Sequence, residues 1–117
     1  MRSTLHRVDT TQLLKGVLDL AVLAALRDDD GYGYDILRRL RAAGLDDVGD
    51  ASVYGTLRRL FQGGFLTTYV VPSEEGPHRK YYALNAAGRA QLGSSSKVWR
   101  TFAQTMDRLI EDSGVAS

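Results

Sequence analysis

Residues 51–84 decide the fold of this chain, and they read ASVYGTLRRLFQGGFLTTYVVPSEEGPHRKYYAL. The first half carries apolar residues at helical spacing, namely Val53, Leu57, Leu60 and Phe61. The second half carries two runs rich in Thr, Tyr, Val and Leu, residues 66–71 and 79–84. A stretch of turn-forming residues, 72–77, separates the two runs. The pattern predicts a helix followed directly by a β-hairpin.

The face of this helix opposite the apolar stripe is predicted to point away from the core. It carries small hydroxyl, aromatic and guanidinium groups, namely Ser52, Thr56 and Arg59, with Tyr54 and Arg58 beside them. Such groups suit base edges and phosphates in a DNA major groove. Tyr54 has a second interpretation, because a tyrosine at the border of an apolar stripe can bury its ring and expose only its hydroxyl.

The hairpin ends in three basic residues, His78, Arg79 and Lys80. Arg79 and Lys80 are neighbours on a strand and point to opposite faces, so only one of them is expected to follow a DNA backbone from a fixed hairpin. His78 is expected to make at most a weak phosphate contact. A helix followed by a basic hairpin predicts a winged-helix DNA-binding fold.

The composition is that of one globular domain. The chain has 117 residues, 44% hydrophobic and 25% charged, and contains no cysteine. We therefore expect no disulfide, no thiolate metal site and no cofactor, and the composition is compatible with a cytoplasmic location. Residues 1–10 lack the apolar core of a secretory signal, and the apolar run 17–26 is shorter than the ~20 residues of a membrane span.

The charge is distributed unevenly. The net charge of +1 excludes a uniformly basic nucleic-acid binder. Residues 28–50 contain seven Asp against three Arg, whereas residues 52–82 contain Arg58, Arg59, Arg79 and Lys80 against Glu74 and Glu75. The basic groups therefore coincide with the predicted helix and hairpin.

Three further helices are predicted. The first runs from Thr10 or Thr11 to about Arg27 and is apolar around most of its circumference, so we expect a surplus face, including Leu14 and Leu18, to meet another subunit. The second begins at Gly31 or Tyr32 and ends at Gly44. Asp50 or Ser52 is predicted to cap the helix that follows.

The last helix is predicted from Ala86 to about Asp112, with Asn85 as its cap. The run 93–96, Gly-Ser-Ser-Ser, leaves open whether the helix is broken there. An apolar stripe follows that run and is expected to pack against a partner helix; its members are Val98, Phe102, Met106, Leu109 and Ile110.

The fold class is therefore mainly α with a small β-hairpin. Residues 11–84 are predicted to form the winged helix-turn-helix domain, and residues 85–112 the dimerisation helix. Residues 1–10 and 113–117 are expected to be flexible tails.

These landmarks resemble the PadR family of bacterial transcriptional regulators over about residues 13–92. The motifs that carry the resemblance are Leu14-Lys15-Gly16-Val17-Leu18-Asp19-Leu20, Gly33-Tyr34-Asp35-Ile36, Ser52-Val53-Tyr54, Leu57-Arg58-Arg59-Leu60, Gly64-Phe65-Leu66, Arg79-Lys80-Tyr81-Tyr82, Leu84 and Gly88. The resemblance implies a homodimeric repressor whose last helices embrace the partner subunit, often released from its operator by a small aromatic or planar ligand. The short C-terminal region is similar to the branch of the family with a single C-terminal helix.

Three positions depart from the family pattern. Gly55 stands where Pro is common, which places a flexible residue in the predicted recognition helix. Phe61 occupies a position that is usually acidic, and Asn85 replaces a Thr before the last helix.

The resemblance also implies roles for two aromatic residues. Tyr34 belongs to the helix that braces the recognition helix, where its hydroxyl can touch a phosphate or its ring can pack in the core. Trp99 lies in the helix in which some relatives sandwich a flat ligand between paired tryptophans, and Phe102 and Met106 lie near it. Ligand stacking and plain packing of Trp99 are both left open.

The sequence predicts a homodimer that binds a pseudo-palindromic DNA operator, with half-sites about 10 base pairs apart. The alternative is a winged-helix protein-interaction module without DNA binding, which the low net charge and Gly55 favour. An enzyme is not expected, since His6 and His78 are the only histidines and no Gly-rich phosphate loop occurs.

Overall fold

The first described helix differs from the predicted one. The computed structural model describes residues 13–112; residues 13–14 are helical, residues 15–17 form a turn, and helix α1 spans Leu18–Ala25. The Gly16 amide donates to the Leu13 carbonyl at 3.3 Å within this turn. The predicted helix is therefore interrupted at residues 15–17, and the prediction of one helix up to about Arg27 is wrong. Its predicted start and both predicted tails lie outside the described residues.

Helix α1 lies at the centre of the fold. It packs against α2 (Gly33–Ala42), α3 (Asp50–Gln62) and α4 (Ala86–Asp112). These neighbours cover much of its apolar circumference within the chain, whereas Leu13, just before the helix, is 67% exposed. Leu14 is 6% exposed, and Leu18 is half-buried against the core. Leu14, predicted at a subunit interface, is therefore covered by its own chain, whereas Leu18 keeps part of its surface exposed.

A short strand precedes α2 and was not predicted. Strand β1 (Gly31–Tyr32) pairs antiparallel with β3 (Arg79–Leu84), where helix had been expected to begin. Tyr32 caps α2: its amide donates to the Asp35 carboxylate at 3.3 Å. The loop before β1 is held by Arg39, whose guanidinium donates to the carbonyls of Ala25, Asp29 and Asp30 at 3.1, 2.9 and 2.7 Å.

Helices α2 and α3 end in the same hydrogen-bonded turn. Gly44 and Gly64 have φ values of 118° and 88°, which favour glycine. After each of them an amide reaches back to the helix, from Leu45 to Leu40 and from Phe65 to Leu60, both at 3.0 Å. The predicted stop at Gly44 is confirmed.

The predicted side-chain cap of α3 is wrong, since its N-cap is Gly49 and Asp50 instead accepts a hydrogen bond from Arg41 at 3.3 Å.

The hairpin has the predicted strands. Strand β2 (Leu66–Val71) pairs antiparallel with β3, in register from Leu66 opposite Leu84 to Val71 opposite Arg79. With β1 the sheet has the order β1-β3-β2. One face, which includes Leu66, Tyr82 and Leu84, packs on the helices.

Helix α4 is continuous through the run 93–96. Asn85 caps it as predicted, because its side-chain oxygen accepts the Gly88 amide at 2.8 Å; its side-chain nitrogen donates to the Gly64 carbonyl at 2.9 Å. Gly88 is buried against the Phe65 carbonyl, with which any added Cβ would overlap. Within residues 13–112, no helix combines the length and apolar character that a membrane span requires.

Candidate nucleic-acid interface

Helix α3 is rotated relative to the predicted orientation. Its buried residues are Val53, Thr56, Leu57 and Leu60. Thr56 is 2% exposed and Phe61 is 44% exposed, so the prediction that Thr56 points outward and Phe61 inward is wrong. The Thr56 hydroxyl accepts a hydrogen bond from Arg59 at 3.1 Å, which allows this polar group to be buried.

The outward face of α3 is formed by residues one turn apart. Ala51, Arg58 and Gln62 are exposed, and half-buried Gly55 lies among them. Sequence reasoning identified Arg58 but missed Ala51 and Gln62. The spacing of these four residues is the signal that could have found them, once Thr56 is taken as buried.

One border of this face is tied to α1. Arg59 donates to the Asp19 carboxylate at 2.9 Å, in an ion pair whose side chains are more than half exposed. Ser52, predicted beside Arg59, is exposed on the same border. Arg59 therefore lies at the edge of the α3 face and connects it to α1.

The other border touches α2. The Tyr54 ring packs directly over Gly33, where a Cβ would overlap the ring, and Tyr54 remains 40% exposed. The Tyr54 ring therefore has a packing partner and still keeps part of its surface in solvent. Gly33 lies between Tyr32 and Tyr34, so the α3 face continues onto the start of α2.

The sheet and α2 present a surface of stacked tyrosines and arginines beside Tyr54. We call it the tyrosine–arginine surface, and it comprises Tyr32, Tyr34, Tyr69, Tyr81, Arg38 and Arg79. Tyr81 lies between Tyr32 and Tyr69, with both ring centroids 5.5 Å away; it stacks on Tyr69 and is tilted by 51° against Tyr32. Sequence reasoning placed Tyr34 and Arg79 in the candidate interface but missed the other four residues. The unpredicted strand β1 brings Tyr32 beside Tyr81.

Two cations lie over these rings. The Arg79 guanidinium carbon is 4.6 Å from the centroid of Tyr32, and that of Arg38 is 5.6 Å from the centroid of Tyr34. The Tyr69 hydroxyl donates to the Asp30 carboxylate at 2.6 Å, and this bond raises the pKa of Tyr69. The surface thus combines exposed guanidinium and phenol groups in fixed positions.

The remaining predicted hairpin residues lie apart from this surface. Lys80 points to the opposite face of β3, with its Nζ 5.9 Å from the Tyr82 centroid, which confirms that Arg79 and Lys80 diverge. His78 is exposed in the segment that joins the strands.

The predicted apolar stripe of α4 is on the surface of the chain. Its exposed fractions are 70% for Val98, 56% for Phe102, 38% for Met106, 57% for Leu109 and 43% for Ile110. Trp99 is 43% exposed, with its ring 6.3 Å from that of Phe102. A shallow groove of about 520 Å³ is lined by Lys97, Val98, Thr101, Phe102 and Thr105.

Solved structures with the same architecture come from bacterial regulators. A PadR-like transcriptional regulator from Bacillus cereus superposes with a TM-score of 0.75 at 30% identity, covering 85% of this chain and 96% of that one. A Streptococcus transcriptional regulator gives 0.73 at 32% identity, covering 84% and 96%. Bacillus subtilis PadR, solved in complex with operator DNA, gives 0.61 at 26% identity, covering 67% of this chain and 45% of that one.

The sequence comparison agrees with the structural one. The model of the transcriptional regulator PadR-like family matches residues 22–94, which include α2, α3 and the whole hairpin. The fold is the winged helix of these structures. The chain belongs to the PadR-like family of transcriptional regulators.

Proposed function

We propose that this chain is a homodimeric repressor that binds a pseudo-palindromic DNA operator with α3 in the major groove. The observation that carries the proposal is that Tyr54, which borders the α3 face with Arg58 and Gln62, packs on Gly33 at the edge of the tyrosine–arginine surface. Guanidinium, amide and phenol groups on one side of a winged helix suit both base edges and phosphates. The Bacillus subtilis relative bound to operator DNA supports this choice of ligand.

The two parts of the surface have different proposed roles. Arg58 and Gln62, with Ser52 and Tyr54 at the borders, contact base edges, because bidentate Arg–guanine and Gln–adenine pairs are the contacts that discriminate bases. Arg79, Tyr34 and Arg38 contact phosphates, and His78 and Lys80 remain predicted phosphate contacts at the hairpin. Arg59 holds α3 against α1 through Asp19 and is a positioning residue in this proposal.

The homodimer is proposed from the α4 stripe. Large apolar side chains exposed along one face of a helix of 27 residues are typical of a helix–helix interface. With a two-fold axis at this interface, we expect the two α3 helices to meet half-sites about one DNA turn apart. The proposed operator is therefore pseudo-palindromic.

Arg58→Ala and Arg79→Ala are expected to weaken DNA binding in different ways. Arg58→Ala should reduce affinity for the operator by about 1–3 kcal/mol, with a smaller effect on random DNA, because it removes a base contact. Arg79→Ala should weaken binding to both DNAs alike. It should also make the fall of log K with log salt concentration shallower, by the equivalent of about one phosphate contact. Gel-shift titrations over a range of salt concentrations measure both effects.

Arg100→Ala on exposed α4 is the control, since it removes an arginine far along the chain from the proposed interface. Identical behaviour of the Arg58 and Arg79 variants would show that the division into base and phosphate contacts is wrong. A wild-type protein that does not bind the DNA upstream of its own gene, nor any duplex selected from a random pool, would favour the protein-interaction module instead.

A small planar aromatic effector is the remaining part of the proposal. The exposed ring of Trp99, next to Phe102, would stack on such a ligand at the dimer centre, where aromatic walls favour flat molecules. Release from DNA requires in addition that the ligand bind the DNA-free arrangement of the dimer more tightly than the DNA-bound arrangement.

Trp99→Ala is expected to abolish the binding of planar aromatic dyes while the protein remains dimeric and binds operator. Quenching of the fluorescence of Trp99, the sole tryptophan, measures binding to wild type, and dye fluorescence anisotropy measures it for both proteins. Dissociation of the Trp99→Ala dimer would show that Trp99 is a packing residue, and the effector site would then be abandoned.

A further inference from the structure

The centre of the outward α3 face has no side chain. A Cβ built on Gly55 meets no atom within 4 Å. Ala51 and Gly55 also line a groove of about 530 Å³, which lies on the Ser52 and Arg59 side of α3 against residues 14–19 and 47–49. Backbone conformation does not require glycine here, since the positive φ values among the described residues are those of Gly44 and Gly64. Neither packing nor backbone geometry within residues 13–112 therefore explains Gly55.

The chemistry of this part of α3 is also distinct. Ala51 precedes Gly55 by one turn on the same face, and neither residue offers a side-chain hydrogen bond. The polar residues Arg58 and Gln62 follow in the second half of the helix. The N-terminal half of a recognition helix lies nearest the base edges, so its outward surface here is small and apolar.

We propose that Ala51 and Gly55 form a notch that receives the 5-methyl group of a thymine in each half-site. The thymine methyl is the apolar group that base pairs present in the major groove, and alanine is among the side chains that contact it. Glycine lets the backbone of α3 approach the base closely. The inference rests on the proposed binding of DNA by α3, and it names the base that the N-terminal half of the helix selects.

Deoxyuridine substitution tests the notch, because it removes only the methyl group and keeps the hydrogen-bonding edges. An operator is selected from random duplexes, and each thymine of one half-site is replaced in turn. Replacing one of these thymines should lower the operator affinity of wild-type protein by about 3–10-fold, which is the scale of one lost apolar contact. Gly55→Ala fills the notch, so it should bind the thymine operator more weakly than wild type and recover affinity on the deoxyuridine operator.

Gly93→Ala is the matched control, since Gly93 is a second helical glycine with no atom within 4 Å of an added Cβ and lies in α4. It should keep the wild-type preference for thymine. The notch is contradicted if wild type binds the operator but no deoxyuridine substitution changes its affinity. It is also contradicted if Gly55→Ala loses as much affinity as wild type on the deoxyuridine operator. In both cases the proposed function stands. Failure of wild type to bind any duplex would overturn both.

Discussion

Gly88→Ala is expected to lower the free energy of unfolding by about 2–3 kcal/mol and the Tm by roughly 10–20 °C. The added Cβ would overlap the carbonyl oxygen of Phe65 and would lie 3.1 Å from Leu84 Cδ2. Phe65 cannot move aside easily, because its amide is bonded to the Leu60 carbonyl at 3.0 Å and its carbonyl accepts the Asn85 amide at 3.4 Å. The first turn of α4 must therefore shift away from the winged helix. Thermal unfolding followed by circular dichroism measures the loss.

Gly93→Ala gives the opposite sign on the same helix. Its Cβ meets no atom, so the change should raise the stability of α4 by up to about 1 kcal/mol through helix propensity alone. If Gly88→Ala were as stable as Gly93→Ala, the close packing of α4 on the Phe65 carbonyl would be wrong. Comparing the two variants separates the effect of packing at Gly88 from the effect of helix propensity.

Elements fixed by local chemistry could be predicted from the sequence. The strands of the hairpin follow from β-branched and aromatic runs on either side of a Pro- and Gly-rich turn. Gly44 ends α2 because glycine readily adopts the left-handed conformation, and Asn85 begins α4 because its side chain accepts an amide of the first turn. Each of these depends on a few neighbouring residues.

Features that depend on distant segments could not be predicted. Thr56 is buried and Phe61 exposed because of how α3 rests on its neighbours, and the Thr56 hydroxyl is satisfied by Arg59. Arg59 is itself bound to Asp19, 40 residues away. Strand β1 has two residues and exists only because β3 pairs with it.

The candidate site was consequently predicted in part. Arg58, Ser52 and Tyr54 are exposed on α3 as expected, and Arg79 points away from Lys80. Gln62 was missed because the predicted helix face was rotated. Arg38 was missed although it lies four residues after Tyr34 on the same helix, a spacing that brings the two side chains together. The sequence pattern locates the helix that we propose to read DNA, whereas packing decides which of its residues face outward.

Phe102→Glu is expected to convert the proposed dimer into monomers at micromolar concentration. Phe102 lies in the middle of the α4 stripe, with Val98 one turn before it and Leu109 two turns after it, all more than half exposed in the single chain. In a dimer this position would be desolvated, and an unpaired carboxylate there would cost several kcal/mol, which raises the dissociation constant more than about 100-fold. Sedimentation velocity measures the change in mass. Operator affinity should fall with it, because one α3 helix then contacts one half-site.

Gln104→Glu is the control for this prediction, since it also adds one negative charge to α4. Gln104 is exposed two residues further along, on the opposite side of the helix from the stripe. It should leave the dimer and operator binding unchanged, and both variants should keep the wild-type far-ultraviolet circular dichroism. A Phe102→Glu protein that remains dimeric would show that the α4 stripe is not the interface. A lone winged helix meets a single half-site. The proposed pseudo-palindromic operator would then require that two chains form a two-fold dimer through another surface.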